Sequence, residues 1–225
     1  MHRRGTATSM CRSDPLGLAD AELFGSNEKA IGWLRHAEIK HGRVAMAAFV
    51  GFIVQSNGIH FPWATTLSGT TYADIAAAGG PASQWDALPT NAKWQIFGFI
   101  SLLELWGECG TDKHYMNGGK PGEYPSFAPI RDDIGHPNLD LFDPFGFSKK
   151  ASPEKKAKGL QAEINNGRLA QLGIMAFVSE AKVPGSVPAL QGLIAPYDGE
   201  VMAPWGPGDT SVMFVKEMLA WNAPY

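Results

Sequence analysis

The sequence predicts an all-α membrane protein with three transmembrane helices, plus a short amphipathic helix near the C-terminus. The first and third helices are expected to cross about a pseudo-two-fold axis. Three observations carry this: three apolar segments of near-spanning length, cationic residues sorted to one side of them, and a charged motif present in both the first and third segments. The 225 residues read as a single domain, with helices at about 33–56, 91–109 and 158–182 and a tail at 200–225.

Bulk composition assigns little. Hydrophobic residues make up 44% and charged residues 18%, close to soluble averages of about 45–50% and 25%. A net charge of −3 gives no basis for nucleic-acid binding. Cys11 and Cys109 are too few for a disulfide framework, and no zinc spacing joins them. The first residues carry Arg3, Arg4 and Arg12 without an apolar stretch, so they read as a tail or the remnant of a basic transit sequence, not a secretory signal.

The first segment has an uncharged core at 44–54, the second centres on WQIFGFISLLELWG, and the third on GRLAQLGIMAFVSE. Each falls short of about 20 uninterrupted apolar residues, so each alone suits a core helix of a soluble bundle. The loops argue for membrane. Between residues 44 and 92 there is no Lys or Arg. Before the first segment stand Arg3, Arg4, Arg12 and Lys29, with Arg35 at its start, and between the second and third stand Lys113, Lys120, Arg131, Lys149, Lys150, Lys155 and Lys156, up to Lys158. Such sorting follows the positive-inside rule for three spans.

Glu38-Ile39-Lys40-His41-Gly42-Arg43-Val44-Ala45 matches Glu163-Ile164-Asn165-Asn166-Gly167-Arg168-Leu169-Ala170, 125 residues further on. Upstream, Asp14-Pro15-Leu16-Gly17-Leu18 is echoed by Asp143-Pro144-Phe145-Gly146-Phe147. Two blocks in the same order indicate a duplicated unit, whose copies run in the same direction when one span separates them. Within a copy, Glu and Arg five residues apart lie about 140° apart around a helix. A two-fold arrangement instead pairs Glu38 with Arg168 and Glu163 with Arg43, as intramembrane charges require, and Gly42 and Gly167 permit close approach. His41 and Asn166 share a face with their glutamates. Each copy therefore offers two adjacent donors suited to the single axial position of a chlorin magnesium, the carboxylate being neutralised from the other helix.

The blocks EIKHGRVAM and EINNGRLA, preceded by DPLGL and DPFGF, resemble the light-harvesting chlorophyll-binding protein superfamily over about residues 14–200. The stretches QIFGFISLLELWGE, VPGSVPALQGLI and EVMAPW are most similar to chlorophyll a/c antennas, of the fucoxanthin–chlorophyll or peridinin–chlorophyll type. The resemblance implies that Glu38, His41, Glu163 and Asn166 each hold one chlorophyll, with Arg43 and Arg168 completing the ion pairs. It implies a ligand at Glu180, where the family often has Gln, although a Glu at a helix end also suits a solvated cap. On the second helix Gln95 and Glu104 match the family's ligand types. Their spacing of nine departs by one from its pattern, which favours Glu104. Gln171 stands where the family usually has Met, as a packing amide or a hydrogen-bond donor to a pigment.

The resemblance further implies chlorophyll a, chlorophyll c and carotenoids of fucoxanthin or peridinin type, with the D-P-x-G-x loops holding carotenoid ends. It places the chain in the plastid thylakoid membrane, beside antenna subunits and a photosystem core, photosystem I favoured, and the loop charges put the N-terminus on the stromal side. A photoprotective member of the same family is the nearest alternative. A di-iron carboxylate enzyme is suggested only by the Glu38-x-x-His41 spacing, which the second copy breaks with Asn166. Neither nucleophile nor phosphate loop is found, and no catalysis is expected. His36, His60, His114 and His136 are expected as surface or loop histidines, with His60, in GIHFPW at the membrane edge, the one that also suits a ligand; the loop 115–144 is expected as an extended, partner-facing excursion, and 210–221 as the short amphipathic helix.

Overall fold

Two serines set where the longest helices begin. In the computed structural model, which describes residues 23–128, 150–201 and 204–220, the Ser26 hydroxyl accepts the Lys29 N–H and the Ser152 hydroxyl accepts the Lys155 N–H. These are N-cap bonds, supported by Glu28 and Glu154 in the first turns and by Pro153 directly after its cap. The helices α1 (Asn27–Ser56) and α5 (Pro153–Lys182) therefore start several residues before the apolar pattern does. Hydropathy does not register a polar, well-capped first turn. Helix α4 (Thr90–Cys109) nearly coincides with the second apolar segment.

Three short helices complete the set. Helix α2 (Tyr72–Ala76) opens on a reciprocal capping box between Thr71 and Asp74, and α3 (Pro81–Ala87) on a Gly-Pro start. Helix α6 (Val215–Ala220) is shorter than the amphipathic helix expected over 210–221. Among the described residues there is no strand beyond an isolated bridge between Ala64 and Thr71.

The most extensive helix contact joins α1 to α5. A Cβ built on Gly167 would lie 2.9 Å from the Gly42 Cα, and one on Gly42 would lie 3.1 Å from the Gly167 Cα. The backbones touch because neither residue has a side chain. Ten residues on, Phe52 and Phe177 stack at 5.0 Å. Gly42 with Gly167 and Phe52 with Phe177 are each repeat-equivalent residues, 125 apart in sequence. A residue meeting its own equivalent marks a pseudo-two-fold axis, and two such meetings in the same order mean that both helices run the same way along it.

Helix α4 stands off from this pair without an extensive backbone contact to either helix. At one end it is joined to α1 by Lys40, whose Nζ lies 2.5 Å from Glu104 and 3.4 Å from Glu108. At the other, the Gln84 amide before it donates to Gln55 O at 3.1 Å. The C-terminal segment also docks there. Lys93 is 0% exposed and Asp209 2% exposed; they pair at 2.5 Å, and Asp209 also accepts from Thr90 and from the Gly206 N–H. Burial pushes the Asp209 carboxyl up, but these donors outweigh it and hold it below the ordinary carboxylate range. Tyr197 donates to Asp86 at 2.7 Å and the Trp85 indole to Pro204 O at 2.9 Å.

The chain after α4 corrects the expectation of a wholly extended excursion. Residues 115–122 turn back onto the first half of α1, and Tyr124 and Phe127 then pack on α4. On α1, Tyr115 O occupies the place a Gly32 Cβ would take, and Tyr115 stacks on His36 at 3.8 Å. His36 is consequently buried, not a surface histidine. The DPLGL and DPFGF blocks, His136 and residues 129–149 lie outside the described residues.

At 30 residues each, α1 and α5 are about 45 Å long, which exceeds the roughly 30 Å hydrocarbon layer. Even so, no described helix is both long and apolar enough to cross a membrane. What α1 and α5 lack is an uninterrupted apolar run, since the repeat's charges sit within them. The buried apolar core of the described residues is small: Ala30, Ala45, Ile75, Ala181 and Val215. Meanwhile Val44 and Val50 on α1, Phe99 and Leu102 on α4, and Leu169 and Leu172 on α5 are exposed.

Candidate functional site

At the crossing the structure brings together residues from both copies of the repeat. Arg168 Nε donates to Glu38 Oε1 at 2.8 Å, and Arg43 Nε donates to Glu163 Oε1 at 2.6 Å. Each carboxylate is thereby neutralised from the opposite helix, and its second oxygen retains acceptor capacity. Arg43 has a further acceptor in Gly122 O at 2.8 Å, so the loop after α4 braces the first copy.

His41 is exposed beside Glu38, and its Nδ1 lies 2.8 Å from Ala37 O. A carbonyl oxygen can only accept, so Nδ1 carries the hydrogen, and in the neutral ring Nε2 keeps its lone pair. Asn166 is exposed at the equivalent position of α5. The crossed pair thus presents two carboxylates held by arginines, one imidazole and one carboxamide. Each is a hard or borderline neutral donor of the kind a magnesium in a tetrapyrrole accepts at its axial position. The donor chemistry fits a set of chlorophylls. It does not fit a di-iron centre: Glu38 and Glu163 are bound to arginines, and among the described residues no three His, Cys, Asp or Glu side chains converge to hold a metal ion.

The other expected ligands lie apart from the crossing. Glu104 is exposed on α4 and bound by Lys40, a cation from another helix, as Glu38 and Glu163 are bound by arginines. Gln95 lines a cavity between α4 and the chain after α1. Glu180 is 2% exposed, and its two oxygens accept the N–H groups of Gly185 and Val187 at 2.8 and 2.9 Å. That carboxylate ties down the turn after α5.

Sequence reasoning missed the pairing of Lys40 with Glu104. It also missed a cluster at the start of α1. There Glu108 accepts from Tyr115 at 3.0 Å and lies 2.8 Å from His114 Nε2. Burial, then the bond to Glu108, pushes the Tyr115 hydroxyl up to about 12, so it stays protonated and donates. His114, expected as a loop histidine, is the N-cap of the turn Tyr115–Asn117.

Comparison with known proteins identifies the family. The sequence profile described as chlorophyll A-B binding protein matches residues 2–182, a span that contains both copies of the repeat. A chloroplastic fucoxanthin-chlorophyll a-c binding protein of Trieres chinensis is 33% identical over 177 residues, 78% of this chain and 75% of the relative. The chloroplastic fucoxanthin-chlorophyll a-c binding protein F of Phaeodactylum tricornutum is 36% identical over 170 residues, 76% of this chain and 73% of the relative. Protein A of the same kind from Macrocystis pyrifera is 34% identical over 167 residues, 73% of this chain and 64% of the relative. These are pigment-binding proteins, not enzymes. With a matching profile over most of its length and a doubled Glu–Arg crossing at its centre, the chain belongs to the chlorophyll A-B binding protein family.

Proposed function

We propose that this chain is a photosynthetic antenna of the thylakoid membrane that holds chlorophyll a, chlorophyll c and a fucoxanthin-type carotenoid. It passes excitation to neighbouring antenna subunits and to a photosystem core. The observation that carries this reading is the crossed pair itself, with two carboxylates neutralised across the axis and His41 and Asn166 exposed beside them. The pigment classes come from the names of the relatives.

In this reading α1, α4 and α5 span the membrane. The paired charges explain how helices with interrupted apolar runs are tolerated there, since intramembrane ionisable groups pair with one another. The exposed apolar side chains on all three helices face lipid and pigment, a contact surface that a water-soluble chain of this size would bury. Glu38, His41, Glu163 and Asn166 serve as magnesium ligands, with Glu104 on α4. Bound pigments supply light absorption. The chain supplies ligands, fixed separations and local fields, and the stiffness of the Gly42–Gly167 contact keeps those separations constant.

His41→Leu, reconstituted with chlorophylls and carotenoid, is expected to fold and to bind one chlorophyll fewer. Pigment extraction and chromatography measure this, and an unchanged ratio removes His41 from the ligand set. The N-terminus and the chain between α4 and α5 are assigned to the stroma, and residues 57–89 to the lumen. Protease added from the stromal face is then expected to cut between 150 and 158 and to spare 57–89. Cleavage confined to 57–89 inverts the orientation.

A further inference from the structure

The two copies of the repeat are braced differently, and the difference lies in residues 115–122. Gly32, His36, Ile39 and Arg43 of α1 stand at i, i+4, i+7 and i+11 and so share one stripe of the helix. Each of them meets that segment. Tyr115 O lies 2.5 Å from where a Gly32 Cβ would be, and the Tyr115 ring stacks flat on His36, 3.8 Å away at 10°. The Gly122 N–H donates to His36 Nδ1 at 3.2 Å, and a Cβ on Gly122 would strike Ile39 Cγ2 at 2.8 Å. Arg43 Nη1 donates to Gly122 O at 2.8 Å. The segment is a strap laid along the stripe, and it ends on the arginine that neutralises Glu163.

The equivalent stripe of α5, 125 residues on, reads Ala157, Gln161, Ile164 and Arg168. A methyl group stands where the strap needs bare backbone, and Gln161 donates to Asn165 at 3.2 Å. Arg168 puts Nε and Nη2 on one Glu38 oxygen, at 2.8 and 2.6 Å, and among the described residues it has no carbonyl partner. The copies therefore share the ion pair and differ where the strap touches. Gly122 can end the strap because its φ of +78° is open to glycine. Its N–H and its C=O go to different side chains of α1, so a displacement of the loop displaces Arg43 with it. The strap's other end is tied to the last turn of α4, where Tyr115 donates to Glu108 at 3.0 Å.

Resting on the antenna reading above, we propose that Gly122 is a positioning residue for the chlorophyll held by Glu163. It sets where the Arg43 charge sits, and with it the field at that ring, and it passes the position of the α4 end to this site and not to the Glu38 site. Two carboxylates related by the pseudo-two-fold axis are thereby made inequivalent. Contiguous contacts are not in themselves coupling, so the test reads the pigment.

The full chain reconstituted with chlorophyll a, chlorophyll c and fucoxanthin is examined by low-temperature absorption. Removing both charges of a pair identifies its pigment: the band lost from Glu163→Leu with Arg43→Leu belongs to Glu163, and the band lost from Glu38→Leu with Arg168→Leu belongs to Glu38. Gly122→Ala and His36→Leu are expected to displace the Glu163 band and to leave the Glu38 band in place. His36→Asn, whose side-chain oxygen can accept the Gly122 N–H, is expected to restore most of the displacement. Tyr115→Phe keeps the stack on His36 and removes only the bond to Glu108. It is expected to move the same band by less, and it decides the matter if the harsher variants do not fold. A lowered melting temperature with the Glu163 band unmoved overturns the proposal, because the strap is then only structural, and so do equal displacements of both bands. If the Glu163 pair variant loses no band, this proposal falls and the antenna reading stands. A wild-type chain that binds no chlorophyll overturns both.

Discussion

Arg168→Leu is expected to release the chlorophyll held by Glu38, on the opposite helix, while sparing the one held by Asn166 two residues away. The reason is electrostatic. In the proposed antenna Asn166 is a neutral ligand that needs no counter-charge, whereas Glu38 without Arg168 is a bare carboxylate. Both members of the pair are exposed on the protein surface, and an exposed ion pair is worth about 0–1 kcal/mol in water. Covered by lipid and pigment, the same pair becomes a buried one, and removing one partner costs roughly 3–5 kcal/mol because the other is left uncompensated. The double change Glu38→Gln with Arg168→Leu removes both charges and keeps an oxygen, so part of the loss is recovered. Thermal melting and pigment counts for wild type, the two single variants and the double variant measure the coupling. A coupling of several kcal/mol that disappears without pigment places the pair in an apolar setting. Additive losses mean that the two residues do not act together.

The crossing was legible in the sequence because duplication makes its two halves announce each other. Glu38, Arg43, Glu163 and Arg168 can be paired on paper, since a repeat supplies the symmetry from which contacts between distant residues follow. Where there is no repeat, that inference stops. Lys93 and Asp209 lie 116 residues apart with no equivalent elsewhere, so nothing in the sequence announces that they meet. The same holds for Lys40 with Glu104, and for Tyr115 folding back on His36. The turn that Glu180 holds was hidden for a related reason. An alignment position conveys residue type, but whether a carboxylate faces a pigment or caps a turn depends on how the chain continues, here through the N–H groups of Gly185 and Val187. The two longest helices begin earlier than hydropathy indicates because capping by Ser26 and Ser152 extends them into polar sequence.

Gly167→Val is expected to do more damage than the loss of a single ion pair, because it acts on the axis that carries both pairs. A Cβ at this position stands 2.9 Å from the Gly42 Cα, and the obstacle is backbone, which cannot swing aside as a flexible side chain could. Relief requires α1 and α5 to separate. Overpacking alone costs about 1–3 kcal/mol, and separation at the crossing also lengthens the bonds from Arg168 to Glu38 and from Arg43 to Glu163 together. The intrinsic gain from replacing a helical glycine is less than about 1 kcal/mol, too small to compensate. Gly159, also on α5, is the control, since nothing lies within 4 Å of a Cβ built there. Gly159→Ala is expected to leave pigment content unchanged and to stabilise slightly. Melting temperature and the circular dichroism of the pigment bands report the two effects separately, because pigment dichroism depends on the distances and orientations set by the crossing. If Gly167→Val assembles with wild-type melting and wild-type dichroism, the helices do not meet at these glycines, and the axis drawn through Gly42 and Gly167 is in the wrong place.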